Sequence, residues 1–293
     1  MVDAYASGVI TLIDDQPDTT GSSGSRVPAL SPSRAADYKQ CPLLYRFRAI
    51  DRLPEPQTTA QVRGTVVHSA LETLFELPAE LRVPESAADL VDGAWGAICE
   101  RRPELRELVP DDDVEGFLTE ARRLITTYYT MEDPTRFTPE SCELHVEVEL
   151  DDGVLLRGFV DRVDVAPSGA IRVVDYKTGR MPSELFEARA LFQMKFYALA
   201  ILRLRGTVPA RLQLMYLADG QNLVYEPDEA ELERFGRTLS AIWTAIRTAG
   251  KTGDFRPKKS RLCAWCDHKA HCPEWGGTAP EYPGWPEQPK EVR

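Results

Sequence analysis

The sequence predicts an α/β fold, a core sheet with helical additions. Three observations carry this. Apolar residues in the first part of the chain recur at helical spacing, as at Val67, Leu71, Leu74 and Phe75. The period then drops to two at Leu144–Leu150, where apolar and polar residues alternate. Helical spacing returns from about Glu184. Helices, a three-stranded meander, a helix, strands and a final helix make an α/β core sheet.

The elements follow in order. Residues 1–27 are Gly/Ser-rich without apolar periodicity and are expected to be a disordered tail. Ser31 caps a helix that opens on Pro32 and runs toward Cys41, since proline at the first turn lacks an N–H that would be orphaned anyway. A second helix covers 61–76, and 86–130 is helical in pieces, broken near Pro103 and Pro110. Strands are expected at 144–150, 154–165 and 171–176, joined by turns at Asp151-Asp152-Gly153 and Pro167-Ser168-Gly169. A helix at 184–205, strands at 211–217 and 223–225, and a helix at 229–248 complete the core. From Gly276 to Arg293 a Pro-rich stretch reads as a loose tail.

Composition bounds the function. The chain has 293 residues, 43% hydrophobic and 28% charged, which excludes wholesale disorder and fibrous architectures. On charge alone, the formal -11 disfavours a basic nucleic-acid binder. No run of about 18 apolar residues is present to span a membrane. The first 25 residues carry Asp14, Asp15 and Asp18 where a signal peptide would be apolar, so a cytoplasmic protein with reduced thiols is expected.

The chemistry concentrates in Gly158-Phe-Val-Asp161-Arg-Val-Asp164 and Val173-Val-Asp175-Tyr-Lys177-Thr-Gly179. Asp175 and Lys177, two apart on a strand, share a face, and the antiparallel neighbour brings Asp161 toward them. Two carboxylates and a lysine suit a hard divalent cation and phosphodiester hydrolysis, with the lysine orienting water or stabilising the phosphorane. The competing reading is a structural Asp–Lys pair at a strand end. His68 follows Gly64 on a helix, with Glu72 one turn on, and Gln193 and Tyr197 share a helix face.

In order and spacing, Gly-x-x-x-His68, Gly-x-x-Asp161-Arg, Asp175-Tyr-Lys177-Thr-Gly and Gln193-x-x-x-Tyr197 resemble the RecB-like branch of the PD-(D/E)XK nuclease superfamily. The resemblance covers roughly residues 30–275. It implies a restriction-endonuclease-like core, a central mixed sheet flanked by helices with a helical insertion. It also implies Mg²⁺ or Mn²⁺ held by His68, Asp161, Asp175 and the main-chain carbonyl of Tyr176. Lys177 would be catalytic, with active-site or DNA-end contacts from Gln193 and Tyr197.

Cys263-x2-Cys266-x5-Cys272 puts three thiols close enough to wrap one metal centre, with Cys41 the natural fourth. Spacing alone leaves zinc, with His268 or His271 as substitute ligands, level with a [4Fe–4S] cluster. Cys99 and Cys142 read as ordinary buried thiols. The resemblance implies the cluster, as a structural clasp joining the ends of a nuclease domain at 28–275.

The charge is segregated. Residues 72–152 hold 22 Asp and Glu against 7 Arg, whereas 34–52 and 251–269 carry net charges of +3 and +4. These basic segments flank the four cysteines, and Arg46, Arg48, Lys258, Lys259 and Arg261 are the expected phosphate contacts. Tyr45, Phe47 and Trp265 are candidates to stack on single-strand bases, with core packing the competing fate for at least two. The leading reading is a metal-dependent DNA nuclease, an exonuclease acting on single strands or ends, in repair ahead of CRISPR adaptation. No G-x4-G-K-[ST] pattern occurs, so the chain acts alone or with a separate helicase or repair partner. The alternatives are a non-catalytic nucleic-acid-binding or scaffold subunit, or a zinc-clasped protein in which Asp-x-Lys is coincidental.

Overall fold

The computed structural model describes residues 28–181 and 184–285, with side chains of the latter stretch from 188 onward. Both the expected 1–27 tail and residues 286–293 lie outside the described residues.

Ser31 accepts a hydrogen bond from the Arg34 amide and starts α1 (Pro32–Gln40), followed by α2 (Pro42–Tyr45) and a π turn at Arg46–Ile50. The next helix, α3 (Thr59–Glu76), begins two residues before the expected start, because Thr58 and Gln61 form a reciprocal capping box. Beyond it lie α4 (Pro84–Arg101), a 3₁₀ turn at Pro103–Leu108 and α5 (Val114–Met131).

Strands β1 (Ser141–Glu149), β2 (Leu155–Val165) and β3 (Ile171–Lys177) form the expected antiparallel meander. Helix α6 (Glu184–Arg205) then carries the chain over the sheet, so that β4 (Arg211–Tyr216) lies parallel to β3. Strand β5 (Gln221–Tyr225) pairs antiparallel with β4, and α7 (Glu229–Thr252) closes the core. The result is a five-stranded mixed sheet, order β1-β2-β3-β4-β5, flanked by helices as predicted.

Two apolar layers sandwich this sheet. Val146, Leu156, Val160, Val173 and Leu214 pack with residues of α6 and α7, whereas Val174, Tyr176, Met215 and Leu217 pack with α3, α4 and α5. Burial on both faces explains the adjacent apolar pairs Val173-Val174 and Leu214-Met215 in β3 and β4. The acidic segment maps largely onto α4, α5 and β1.

The expectation of a loose tail from Gly276 is corrected for its described part. Tyr282 packs on Phe255 and donates from its hydroxyl to the Gly250 carbonyl at 2.6 Å, and Trp285 stacks edge-on against Trp243. Aromatic burial outweighs the proline content here. A Cβ at Gly250 would lie 2.0 Å from the Trp285 ring, so glycine is what lets this segment close on α7.

Candidate active site and thiol clasp

Strand β3 ends at the site. Asp175 is 2% exposed, and its Oδ2 lies 2.7 Å from Lys177 Nζ, as expected of residues two apart on one strand. Gln193 of α6 joins them: its Nε2 donates to Asp175 Oδ1 at 2.9 Å and its Oε1 accepts from Lys177 Nζ at 3.0 Å. Tyr197, one turn further, has its hydroxyl 3.4 Å from Gln193 Nε2. A Cβ at Gly158 would meet the Tyr197 ring at 3.0 Å, so the glycine of Gly-x-x-Asp makes room for the α6 side chains.

Asp161 comes from β2, and its Oδ2 accepts from the Tyr176 amide at 2.7 Å. His68 of α3 reaches the same point: its Nε2 is 2.9 Å from the Tyr176 carbonyl oxygen and its Nδ1 is 3.5 Å from Asp161 Oδ2. A histidine gives one nitrogen to a cation, and here Nδ1 is the one on the Asp161 side while Nε2 hydrogen-bonds the Tyr176 carbonyl. The fold thus brings His68, Asp161, Asp175, the Tyr176 carbonyl, Lys177, Gln193 and Tyr197 to one place.

Sequence reasoning missed Glu143 of β1. One ligand atom each of His68, Glu143 and Asp161 lie within 4.8 Å of one another. Neither alternation nor a motif marks Glu143; its backbone takes φ 47, and it faces Asp161 only once β1 and β2 are paired.

The electrostatics fit a cation site. Burial first, and repulsion by Asp175 second, raise the Asp161 pKa. The Glu143 pKa is likewise raised, by burial and then by Asp161, Glu72 and Asp175. Glu72 is pushed up to about 7 by burial and by Glu76. Burial opposes the charge on Lys177, but Asp175 and Asp161 outweigh it and raise its pKa, so Lys177 is a cation at neutral pH. The buried Glu143 Oε2 and His68 Nδ1 have no hydrogen-bond partner, the state expected of ligand atoms awaiting a metal.

Arg162, beside Asp161, turns to the opposite face of the sheet. It is fully buried and binds Glu132, Asp164 and the Tyr176 hydroxyl, bracing the two strands under the site.

The four predicted thiols meet. Cys41, Cys263, Cys266 and Cys272 line one cavity with Leu43, Leu44 and Phe47. Cys41 Sγ accepts from the Lys258 amide and Cys263 Sγ from the Ser260 amide, both at 3.3 Å. Burial, then the neighbouring thiols, raise the Cys266 pKa. Four soft donors, two of them accepting N–H···S bonds, suit a thiolate-bound metal centre. Cys99 is buried, and burial pushes the Cys142 thiol up to about 12. The basic segments meet at this clasp, where Lys258 Nζ donates to the Lys39 carbonyl at 3.1 Å. Lys39 also sits 4.3 Å from the Phe192 ring, next to Gln193.

The expected phosphate contacts divide. Arg46 is buried, paired with Asp51 at 3.0 Å and donating to the Pro280 carbonyl. Arg48 is held between Asp37 and Glu55. The Arg46 guanidinium braces the fold where α2 and the π turn pack inward, whereas Arg48 is exposed beside its two carboxylates. Lys258, Lys259 and Arg261 are exposed. Of the three aromatic residues, Tyr45 and Phe47 are core and Trp265 is 77% exposed.

Residues 29–273 match the model of the PD-(D/E)XK nuclease superfamily, and the chain belongs to that superfamily. Its relatives include the Gene 69 protein of Mycobacterium phage D29, 26% identical, which the match covers to 97% together with 85% of this chain. The Gene 69 protein of Mycobacterium phage L5 is 25% identical, with 84% of this chain and 97% of the relative covered. A solved structure from Eubacterium rectale, named provisionally as an exonuclease, shares the fold at TM-score 0.56. It is 15% identical, over 82% of this chain and 87% of that one. Among the described residues, no helix is long and apolar enough to cross a membrane.

Proposed function

We propose that this chain is a divalent-metal-dependent deoxyribonuclease of the RecB-like branch, an exonuclease acting on single strands or DNA ends. The observation that carries this reading is the approach of His68 and Asp161 at the end of β3, beside the Asp175–Lys177 pair. His68, Asp161, Asp175 and the Tyr176 carbonyl would hold Mg²⁺ or Mn²⁺, which when bound polarises the phosphodiester and acidifies an attacking water. Lys177 would orient the nucleophile and offset developing phosphorane charge. Gln193 fixes both Lys177 and Asp175, and Tyr197 supports Gln193.

The four cysteines would hold a [4Fe–4S] cluster, zinc being the alternative, as a clasp between the chain's ends. Lys258, Lys259 and Arg261 would contact phosphates beside it, with Trp265 available to stack on a base. A role in repair or recombination, alone or with a separate helicase, is what the RecB-like resemblance supports, and the acidic N-terminal segment supports a cytoplasmic place for it.

The test is digestion of labelled single-stranded and blunt duplex DNA with Mn²⁺ by wild type and Lys177→Ala. Loss of cleavage in the variant is expected; equal digestion by both would refute the assignment.

A further inference from the structure

We propose that Glu143 is a ligand of the divalent cation, placed there by a break in the alternation of β1 and β2. The proposal rests on the nuclease reading and adds a residue to its metal centre.

In β1, Leu144, Val146 and Val148 face the layer formed with α6 and α7, yet Cys142, of the same parity, packs in the opposite layer. In β2, Leu156 and Val160 face that first layer, and so does Val163, of the opposite parity. A strict two-residue period allows neither. Both switches fall at one rung. Glu143 and Asp161 oppose each other between the Cys142–Arg162 and Leu144–Val160 pairs.

Glu143 makes its switch with φ 47, a left-handed conformation that glutamate rarely adopts. Residues opposed across an antiparallel rung project to the same side, so the distortion brings two carboxylates together beneath His68. The resulting trio has its ligand atoms within 4.8 Å, and Glu143 Oε2 is buried without a hydrogen-bond donor. An uncompensated buried carboxylate oxygen is costly, and a hard cation removes that cost. Asp175 Oδ2 is also buried without a hydrogen-bond donor but has the Lys177 ammonium at 2.7 Å, whereas no cationic side chain among the described residues pairs with Glu143 Oε2.

The experiment is calorimetric titration of Mn²⁺ into the DNA-free full chain, comparing wild type, Glu143→Gln and Glu143→Gly, with Asp161→Asn as reference. Both Glu143 variants are expected to bind Mn²⁺ at least about tenfold more weakly. Metal-free Glu143→Gly should melt no lower than wild type, because glycine accepts the left-handed backbone. A merely structural role predicts the reverse, a lower melting temperature with unchanged affinity. Wild-type affinity in both Glu143 variants beside a loss in Asp161→Asn would overturn the proposal and leave the nuclease reading standing. Undiminished affinity in Asp161→Asn as well would overturn the metal centre itself.

Discussion

Gln193 Oε1 accepts a hydrogen bond from Lys177 Nζ at 3.0 Å, tying a residue of the crossover helix to the last residue of β3. Because Gln193 also donates to Asp175, it fixes the lysine and the carboxylate in one frame. Gln193→Ala should therefore lower kcat on DNA by on the order of 10²-fold, the usual scale for losing one positioned polar group at a reacting centre. DNA affinity measured in EDTA should stay unchanged; a fall in affinity with kcat intact would show that Gln193 binds substrate instead.

Gly158→Ala tests the same frame from below. The added Cβ would stand 3.0 Å from the Tyr197 ring, so the ring and Gln193 must shift. A displacement of about 1 Å in a reactive geometry costs on the order of 10²-fold, and a drop of at least about tenfold in kcat is expected. The melting temperature should fall as well, since the Tyr197 ring is buried in the core.

Arg162 is a stability residue next to Asp161, a proposed ligand. Arg162→Met leaves Glu132 and Asp164 buried with one partner fewer, and should destabilise the protein by about 3–5 kcal/mol in urea unfolding. A change below 1 kcal/mol would mean that Arg172, which also reaches both carboxylates, carries the network alone.

Glu55 gives a signed pH dependence. Burial opposes its ionisation, but hydrogen bonds from His268 and Arg48 outweigh it and hold the carboxyl at about 2. A carboxyl depressed in the folded state contributes stability that is present above its unfolded pKa, near 4.5, and is lost as pH falls toward about 2. The stability advantage of wild type over Glu55→Gln should thus be full at pH 7 and shrink between these limits. Melting curves of both proteins across this range check it; a constant difference would show that the pair is not ionised.

The clasp yields two measurements. Cys41→Ser should remove the brown colour of a cluster-loaded protein, and a colourless wild type rich in zinc would replace the cluster by zinc. Lys258→Ala with Lys259→Ala should flatten the salt dependence of single-strand binding by roughly 0.7 per lost phosphate contact.

The strands, the Asp175–Lys177 pair and the cysteine spacing were legible in the sequence, because each depends on residues close in the chain and on a fixed period. His68 and Gln193 were legible as spaced motifs. Their meeting required α3 and α6 to pack on the same end of β3. The fate of the basic and aromatic residues was not legible: Arg46, Phe47 and Trp265 look alike as sequence, and only the packing of α2 and the π turn sorts core from surface.

Local pattern thus determined the fold class, the order of elements and most of the proposed ligand types. Tertiary structure decided Glu143. Its place opposite Asp161 depends on the register of two strands and a left-handed residue that breaks their alternation. That is a long-range pairing, and a periodic reading of either strand alone does not contain it.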